Sequence, residues 1–367
     1  METNLNSSVS LNIKQYKDTN LNFDKEIFYQ NLKEEVDHFS KQAEDVNESK
    51  GLFLVKPAIV WMKEANARPI PKMLFSEFWF QGELCILFAD TNLGKSILAV
   101  QIGNSITRGE QIKRFKLEAA KQSILYFDFE LSDKQFENRY SIDYTQHYIF
   151  ANGFQRVEID SDAEVPVGKN FENYLNESLE KCIIETGSKI LIIDNLTYLR
   201  NDTEKAKEAL VIMKLLKELK SKYGLSILVL AHTPKRDLTK PITRNDLAGS
   251  KMLINFCDSA FTIGESSSDK QLRYIKQIKS RNTEIIYDTE NVITCQIDKP
   301  FNFLQFEFVD FGSEWKHLKQ LSENDKDNLT EKILEFKQQG KSLREIGLEL
   351  GITHMKVSRV IKNETKL

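Results

Sequence analysis

Lys95 and Ser96 are the residues whose chemistry is easiest to read. They close the run LCILFADTNLGKSIL (84–98), where an apolar stretch leads through Ala89, Asp90, Thr91, Asn92, Leu93 and Gly94 into helix-compatible sequence. The spacing is that of GxxxxGK[ST], with Ala89 in place of the first glycine. A tight loop of this kind turns backbone N–H groups toward phosphate oxygens, and the following helix adds the positive end of its dipole. Residues 89–96 therefore read as a nucleotide-binding loop in which Lys95 reaches the terminal phosphates and Ser96 places its hydroxyl on Mg²⁺. Alanine tolerates a positive φ poorly, so the loop is expected to open slightly differently at Ala89.

Other residues of the right type follow in order. ILIIDN (190–195) is an apolar run ending in Asp194, suited to holding the Mg²⁺ water shell. LYFDFELSD (125–133) carries Asp128 and Glu130, and alternation along a strand puts both on one face. Glu130 is expected to polarise an attacking water, with Asp128 in support. LVLAHTPKRD (228–237) ends a further run with His232 and Thr233, near a γ-phosphate and able to report its loss. A structural hydrogen bond at a strand end is the plainer alternative for His232. The loop beyond it carries Lys235, Arg236, Lys240 and Arg244, then Gly249-Ser250-Lys251, and is a candidate DNA contact or a solvated surface. IKQIKSRN (275–282) places Lys279 and Arg281 two residues apart, a candidate guanidinium donated to a neighbouring subunit's phosphoryl group, or a salt-bridged surface pair.

These side chains need a frame. Apolar runs at Leu84–Ala89, Ser123–Phe129, Ile190–Asp194 and Ser226–Ala231 alternate with helical patterns at Ser96–Ile106, Asp133–Tyr140, Phe171–Glu185 and Thr203–Tyr223. Strands apolar on both faces and separated by helices predict an α/β fold, a mostly parallel sheet with helices on both sides. Residues 272–309 alternate in short runs that predict appended antiparallel hairpins. Residues 1 to about 22 read as flexible, and Phe23 to Ala43 as one amphipathic helix that docks on the body or on a neighbouring subunit. The expected organisation is 1–50 head, 51–312 nucleotide-binding domain, 313–327 polar linker and 328–367 tail.

Taken together, FADTNLGKS, YFDFELSD, ILIIDN, LVLAHTPKRD, GSK and KQIKSR resemble the RecA-like ATPases, and among them the RepA-type hexameric helicases of plasmids and mobile elements. The resemblance covers about residues 70–300. It implies a RecA-like core, ATP hydrolysis at subunit interfaces and a homo-hexameric ring moving on single-stranded DNA. Carried over, it makes Lys95 and Ser96 the phosphate and Mg²⁺ contacts, Glu130 the catalytic carboxylate and Asp194 the second metal residue. His232 becomes the γ-phosphate sensor and Arg281 the finger acting in trans, with Lys279 beside it.

The tail departs from that core. In NLTEKILEFKQQGKSLREIGLELGITHMKVSRVIKN (328–363), Ser342 and Thr353 cap helices, Ile346, Leu350, Val357, Val360 and Ile361 face a core, and Gly351 makes the turn. Helices are expected at Leu329–Gln338, Ser342–Leu350 and Thr353–Lys362. This spacing resembles the helix-turn-helix of resolvases and sigma factors, with Thr353, His354, Lys356, Ser358 and Arg359 offered to a major groove of duplex DNA. A small protein-docking module is the alternative.

Composition narrows the classes. The chain has 367 residues, 41% hydrophobic and 29% charged, enough for a sizeable core. No apolar run approaches the ~20 residues that span a bilayer. Cys85, Cys182, Cys257 and Cys295 lack zinc or disulfide spacing, so a cytoplasmic location is expected. Net charge is −3 overall, but residues 1–50 hold six Lys/Arg against ten Asp/Glu, while 328–367 hold eight against five. An acidic head and basic tail flank a near-neutral body. Three functions fit: a DNA-dependent ATPase motor, an ATP-gated DNA-binding regulator, and a RadA-like recombination accessory ATPase.

Overall fold

The computed structural model describes residues 30, 33, 34, 53–195, 205–234, 236–247, 250–320, 323–350 and 352–364. The chain forms two units, Met1–Ile70 and Pro71–Leu367. In the first, α1 (Ala58–Asn66) is accompanied by an ion pair between Lys56 and Glu64. The expected flexible head and the amphipathic helix at Phe23–Ala43 lie outside the described residues, save that Gln30, Lys33 and Glu34 are helical.

The second unit begins with a small hairpin, β1 (Met73–Phe75) and β2 (Trp79–Phe80). There follow β3 (Leu84–Ala89), α2 (Lys95–Arg108), β4 (Ile124–Asp128) and α3 (Asp133–Arg139). Next come β5 (Ser141–Ile142), β6 (Gln146–His147), β7 (Phe154–Val157), α4 (Phe171–Thr186), β8 (Ile190–Asp194) and α5 (Lys205–Tyr223). Then β9 (Ser226–His232), α6 (Ser250–Phe256), β10 (Ser259–Glu265), β11 (Leu272–Lys279), β12 (Val292–Asp298) and β13 (Gln305–Gly312) complete the body.

Among the described residues these build one nine-stranded sheet in the order β13-β12-β11-β10-β3-β9-β8-β4-β7. Strands β10, β3, β9, β8, β4 and β7 run parallel, and β11 to β13 antiparallel. This is the mostly parallel α/β architecture expected, with the hairpins on the C-terminal side.

The period of two sorts the strand residues into two cores. Cys85, Leu87, Ile124, Tyr126, Ile190, Ile192, Leu228 and Leu230 pack with α2 on one face. Leu84, Ile86, Leu125, Phe127, Leu191, Ile193, Ile227 and Val229 pack with α4, α5 and α6 on the other. Each such aliphatic side chain contributes about 1.5–3 kcal/mol by leaving water. Helix α2 lies so close to the sheet that a Cβ at Gly103 would come within 2.4 Å of Ile124 Cδ1.

Two expectations change. Strand β10 was not foreseen, because SAFTIGE mixes apolar with small and polar residues. Within 313–320, the first part of the expected linker, Glu314 is fully buried, accepts from Ile242 N (2.7 Å) and Tyr274 OH (3.0 Å), and pairs with Lys276 (2.5 Å). Burial of a charge is tolerated here because its partners arrive from β11 and from the loop that carries Ile242. The body therefore runs past 313, and α7 (Glu323–Gln338) begins earlier than expected.

The tail consists of α7, α8 (Leu343–Glu349) and α9 (His354–Glu364), centred on fully buried Ile333, Ile346 and Val357. Ser342 caps α8 in a reciprocal pair with Glu345. Gly351, assigned to the turn, lies outside the described residues. The observed tight approach is at Gly347, where a Cβ would stand 2.7 Å from the Ile352 carbonyl oxygen.

Candidate functional site

Parallel strands deliver their C-terminal ends to one edge of a sheet, and the candidate residues of β3, β8 and β9 meet there. The phosphate loop leaves β3 at Ala89, which is buried, extended strand. The left-handed conformations fall on Asn92 (φ 61°) and Gly94 (φ 93°). The expected distortion at Ala89 is thus absent: its position does not require glycine, whereas Gly94 does. A Cβ there would also meet Ile297 Cδ1 at 2.7 Å and Phe306 Cε2 at 2.9 Å.

Lys95 Nζ donates to the carbonyls of Ala89 (3.1 Å) and Asp90 (3.0 Å) and lies 3.2 Å from His232 Nδ1. Burial lowers its pKa, opposed by Glu130, Asp194 and Asp90. Lysine can only donate, so this His232 nitrogen is the acceptor. The other ring nitrogen stands 3.2 Å from Asn195 Nδ2, which donates to Glu130 Oε2 at 2.8 Å. Lys95 thus pairs with His232 and Asn195 with Glu130, and the two pairs meet at the His232–Asn195 contact.

Asp194 lies near these residues, fully buried. Tyr126 OH donates to its Oδ2 at 2.6 Å, and the Ser96 side chain interacts with the same carboxyl group. Desolvation pushes its pKa up to about 6. Asp194 Oδ1 and the buried Thr233 Oγ1 have no hydrogen-bond partner among the described residues. Such orphaned oxygens cost stability unless something else satisfies them. A hard cation with its water shell fits a carboxylate and a hydroxyl presented together, so Ser96 and Asp194 suit Mg²⁺.

Asp128 and Glu130 do not share a face as expected, because β4 ends at Asp128 and the alternation ends with it. Asp128 is buried against Arg156 (2.8 Å), while Glu130 is exposed beside Asn195. Lys279 and Arg281 are not at this edge. Lys279 pairs in register with Ala260, itself beside Ile86, which places them near the starts of the parallel strands. Six strand residues separate the edges, about 20 Å. Lys279 Nζ donates to the carbonyls of Ile254 (2.6 Å) and Cys257 (2.7 Å) at the end of α6. Arg281 is half-exposed and bonds Asp258 at 3.1 Å.

In the basic loop, Lys235 and the side chain of Lys251 lie outside the described residues. Arg236 is half-buried and donates to the Lys240 carbonyl at 3.0 Å, with Tyr274 beside it. Arg244 is exposed. On the tail, Thr353, His354, Lys356 and Arg359 are exposed and Ser358 is half-buried.

Tyr126, Asn195 and Arg156 join the site without a motif of their own in the sequence. Asn195 directly follows Asp194, so adjacency was a usable signal. For Tyr126 and Arg156 no local signal existed.

A family model described as AAA domain matches residues 54–237, half of the chain. The chain belongs to the AAA domain family. No curated protein matches it. Among solved structures, a KaiC-like protein from the hyperthermophilic archaeon Pyrococcus horikoshii OT3 is similar over 62% of this chain and 91% of its own, with 13% identity and a TM-score of 0.41. The matched AAA domain segment contains the phosphate loop, Glu130, Asp194 and His232, and its family implies nucleotide binding with Mg²⁺. No described helix of this AAA domain protein is long and apolar enough to cross a membrane.

Proposed function

We propose that this protein is an ATP-hydrolysing, DNA-binding motor of the RepA-like kind, a homo-hexameric cytoplasmic ring helicase serving replication or mobilisation of a plasmid or mobile element. The observation that carries this reading is the meeting of the Lys95–His232 and Asn195–Glu130 pairs near Asp194, whose second oxygen is buried and unpartnered among the described residues.

In this reading the backbone N–H groups of 90–96 cradle the phosphates. Lys95 leaves the loop carbonyls for the terminal phosphates and neutralises their charge. Mg²⁺, when bound at Ser96 and Asp194, supplies charge neutralisation between the phosphates. Glu130 orients the attacking water and takes up its proton. His232, touching both Lys95 and Asn195, couples loss of the γ-phosphate to the loop that follows β9. Arg281, at the opposite edge, serves a neighbouring subunit's phosphoryl group. The exposed face of α9 supports recruitment to duplex DNA, and single-stranded DNA runs through the ring.

The test is phosphate release without DNA, with single strands and with duplex, alongside mass measurement with and without ATP. Stimulation by single strands and separation of a forked duplex are expected. Turnover indifferent to single strands, combined with tight binding of one duplex, makes the protein an ATP-gated regulator instead. Stimulation without strand separation favours a recombination accessory role. No affinity for ATP overturns all three.

A further inference from the structure

Asp128 stands two residues before Glu130, and its side chain is shut off from solvent. Its Oδ1 accepts from the backbone N–H groups of Glu130 (3.2 Å) and Leu131 (3.0 Å), while its Oδ2 accepts from Arg156 Nε (2.8 Å). Arg156 lies on β7 at the edge of the sheet, in register with Tyr126 of β4. Its other guanidinium nitrogens hold the same turn further along: Nη2 donates to the Leu131 carbonyl and Nη1 to Asp133 Oδ1, both at 2.7 Å. An ion pair with Glu158 and the Phe136 ring, 4.8 Å away, fix the plane of the fork. One side chain therefore grips positions 128, 131 and 133, on both sides of Glu130.

A buried ion pair is weak evidence of a stabilising role, since apolar residues often replace one without loss. What a guanidinium fork offers instead is geometric definition over several acceptors. We propose that Arg156 is a positioning residue for the Glu130 carboxylate, acting through Asp128 and the 129–133 turn; this rests on the ATP-hydrolysis reading above. Without the fork, Asp128 is left as a buried anion and the Leu131 carbonyl is released. The turn then relaxes, and Glu130 with it. The nucleotide grip comes from residues 89–96, none of which Arg156 contacts. The loss therefore falls on turnover rather than on binding.

The experiment compares the full chain with Arg156→Ala, Arg156→Lys and the double variant Arg156→Ala/Asp128→Asn. It reads kcat, KM, affinity for a fluorescent ATP analogue with Mg²⁺, and melting temperature. Displacing a catalytic group by an ångström is enough for kcat to fall on the order of 10- to 100-fold in Arg156→Ala. Analogue affinity should stay within about twofold, the pattern of an interaction made for the transition state. Lysine pairs with Asp128 but cannot span the turn, so Arg156→Lys should fall between wild type and alanine. Asparagine at 128 still accepts from both N–H groups without an unpaired charge, so the double variant should regain part of the lost kcat. If Arg156→Ala does not fold, the lysine and double variants decide. Wild-type kcat in every folded variant, with only a lowered melting temperature, overturns the positioning role alone. Absence of turnover in the wild type overturns the ATPase reading and this proposal with it.

Discussion

The two edges of the sheet carry similar residues to opposite ends. At the edge where the parallel strands begin, the carboxylates of Asp258 and Glu83 are satisfied within the chain. Asp258 accepts from Leu84 N and pairs with Lys220 and Arg281. Glu83 accepts from Phe80 N, Ser259 and Asn282, and burial holds its pKa above the usual carboxylate value. At the edge where they end, Asp194 and Thr233 keep buried oxygens without partners among the described residues, and Glu130 faces solvent. A closed network supports the fold, whereas an incomplete one is available to a ligand. Polar composition does not distinguish the surroundings of Asp194 from those of Glu83 and Asp258; the hydrogen bonding of these carboxylates does.

Substitutions can break this contrast, the largest expected effect first. Glu130→Gln should keep the fold and nucleotide affinity but remove the proposed base, lowering phosphate release on the order of 10²–10⁴-fold; equal loss of affinity, seen by titration with labelled ATP, would contradict the role. Lys95→Ala takes a cation from the phosphates, with a loss on the order of 10²–10³-fold in kcat/KM. At the opposite edge, Glu83→Ala strands Ser259 and Asn282 as unpaired donors, costing about 1–3 kcal/mol in denaturant unfolding. Its kinetic constants per folded molecule should be those of wild type.

The pH dependence follows from Asp194. Its folded pKa is raised to about 6, so the folded state holds a proton that the unfolded chain has already released. The stability this group contributes at low pH is lost as pH rises toward 6, an effect on the order of 2–3 kcal/mol. Asp194→Asn should therefore raise the metal-free melting temperature above pH 6 and abolish the extra stabilisation by Mg²⁺ and ATP. In wild type that stabilisation should grow between pH 5 and 7. The smallest effect belongs to the tail. Arg359→Ala should weaken duplex binding and reduce the slope of log affinity against log salt by about 1. An unchanged slope would favour protein docking for the three helices.

Legibility differed by region for identifiable reasons. Strands β3 and β8 were readable because they are apolar on both faces, a pattern that only a covered parallel sheet requires. Strand β10 lies just as deep but hides it. Thr262 donates to the Phe88 carbonyl at 2.8 Å, and Gly264 makes room for Tyr274, whose Cζ would stand 2.1 Å from a Cβ there. Glu314 read as linker because its charge looked solvated, yet Tyr274, Lys276 and Ile242 enclose it. Within the candidate site, Lys95 and Asp194 were legible from local pattern. The separation of Asp128 from Glu130 was not, because the strand's last residue is set by its neighbours.

Local rules determined what needs only adjacent residues: the phosphate loop, the run of buried strands, the apolar spacing of the tail helices. Partnership was decided by the tertiary structure. Lys95 meets His232 across 137 positions, Tyr126 meets Asp194 across 68, and Arg156 meets Asp128 across 28. Strand order brings these groups together, and strand order depends on how whole layers bury their faces. No spacing along the chain records it.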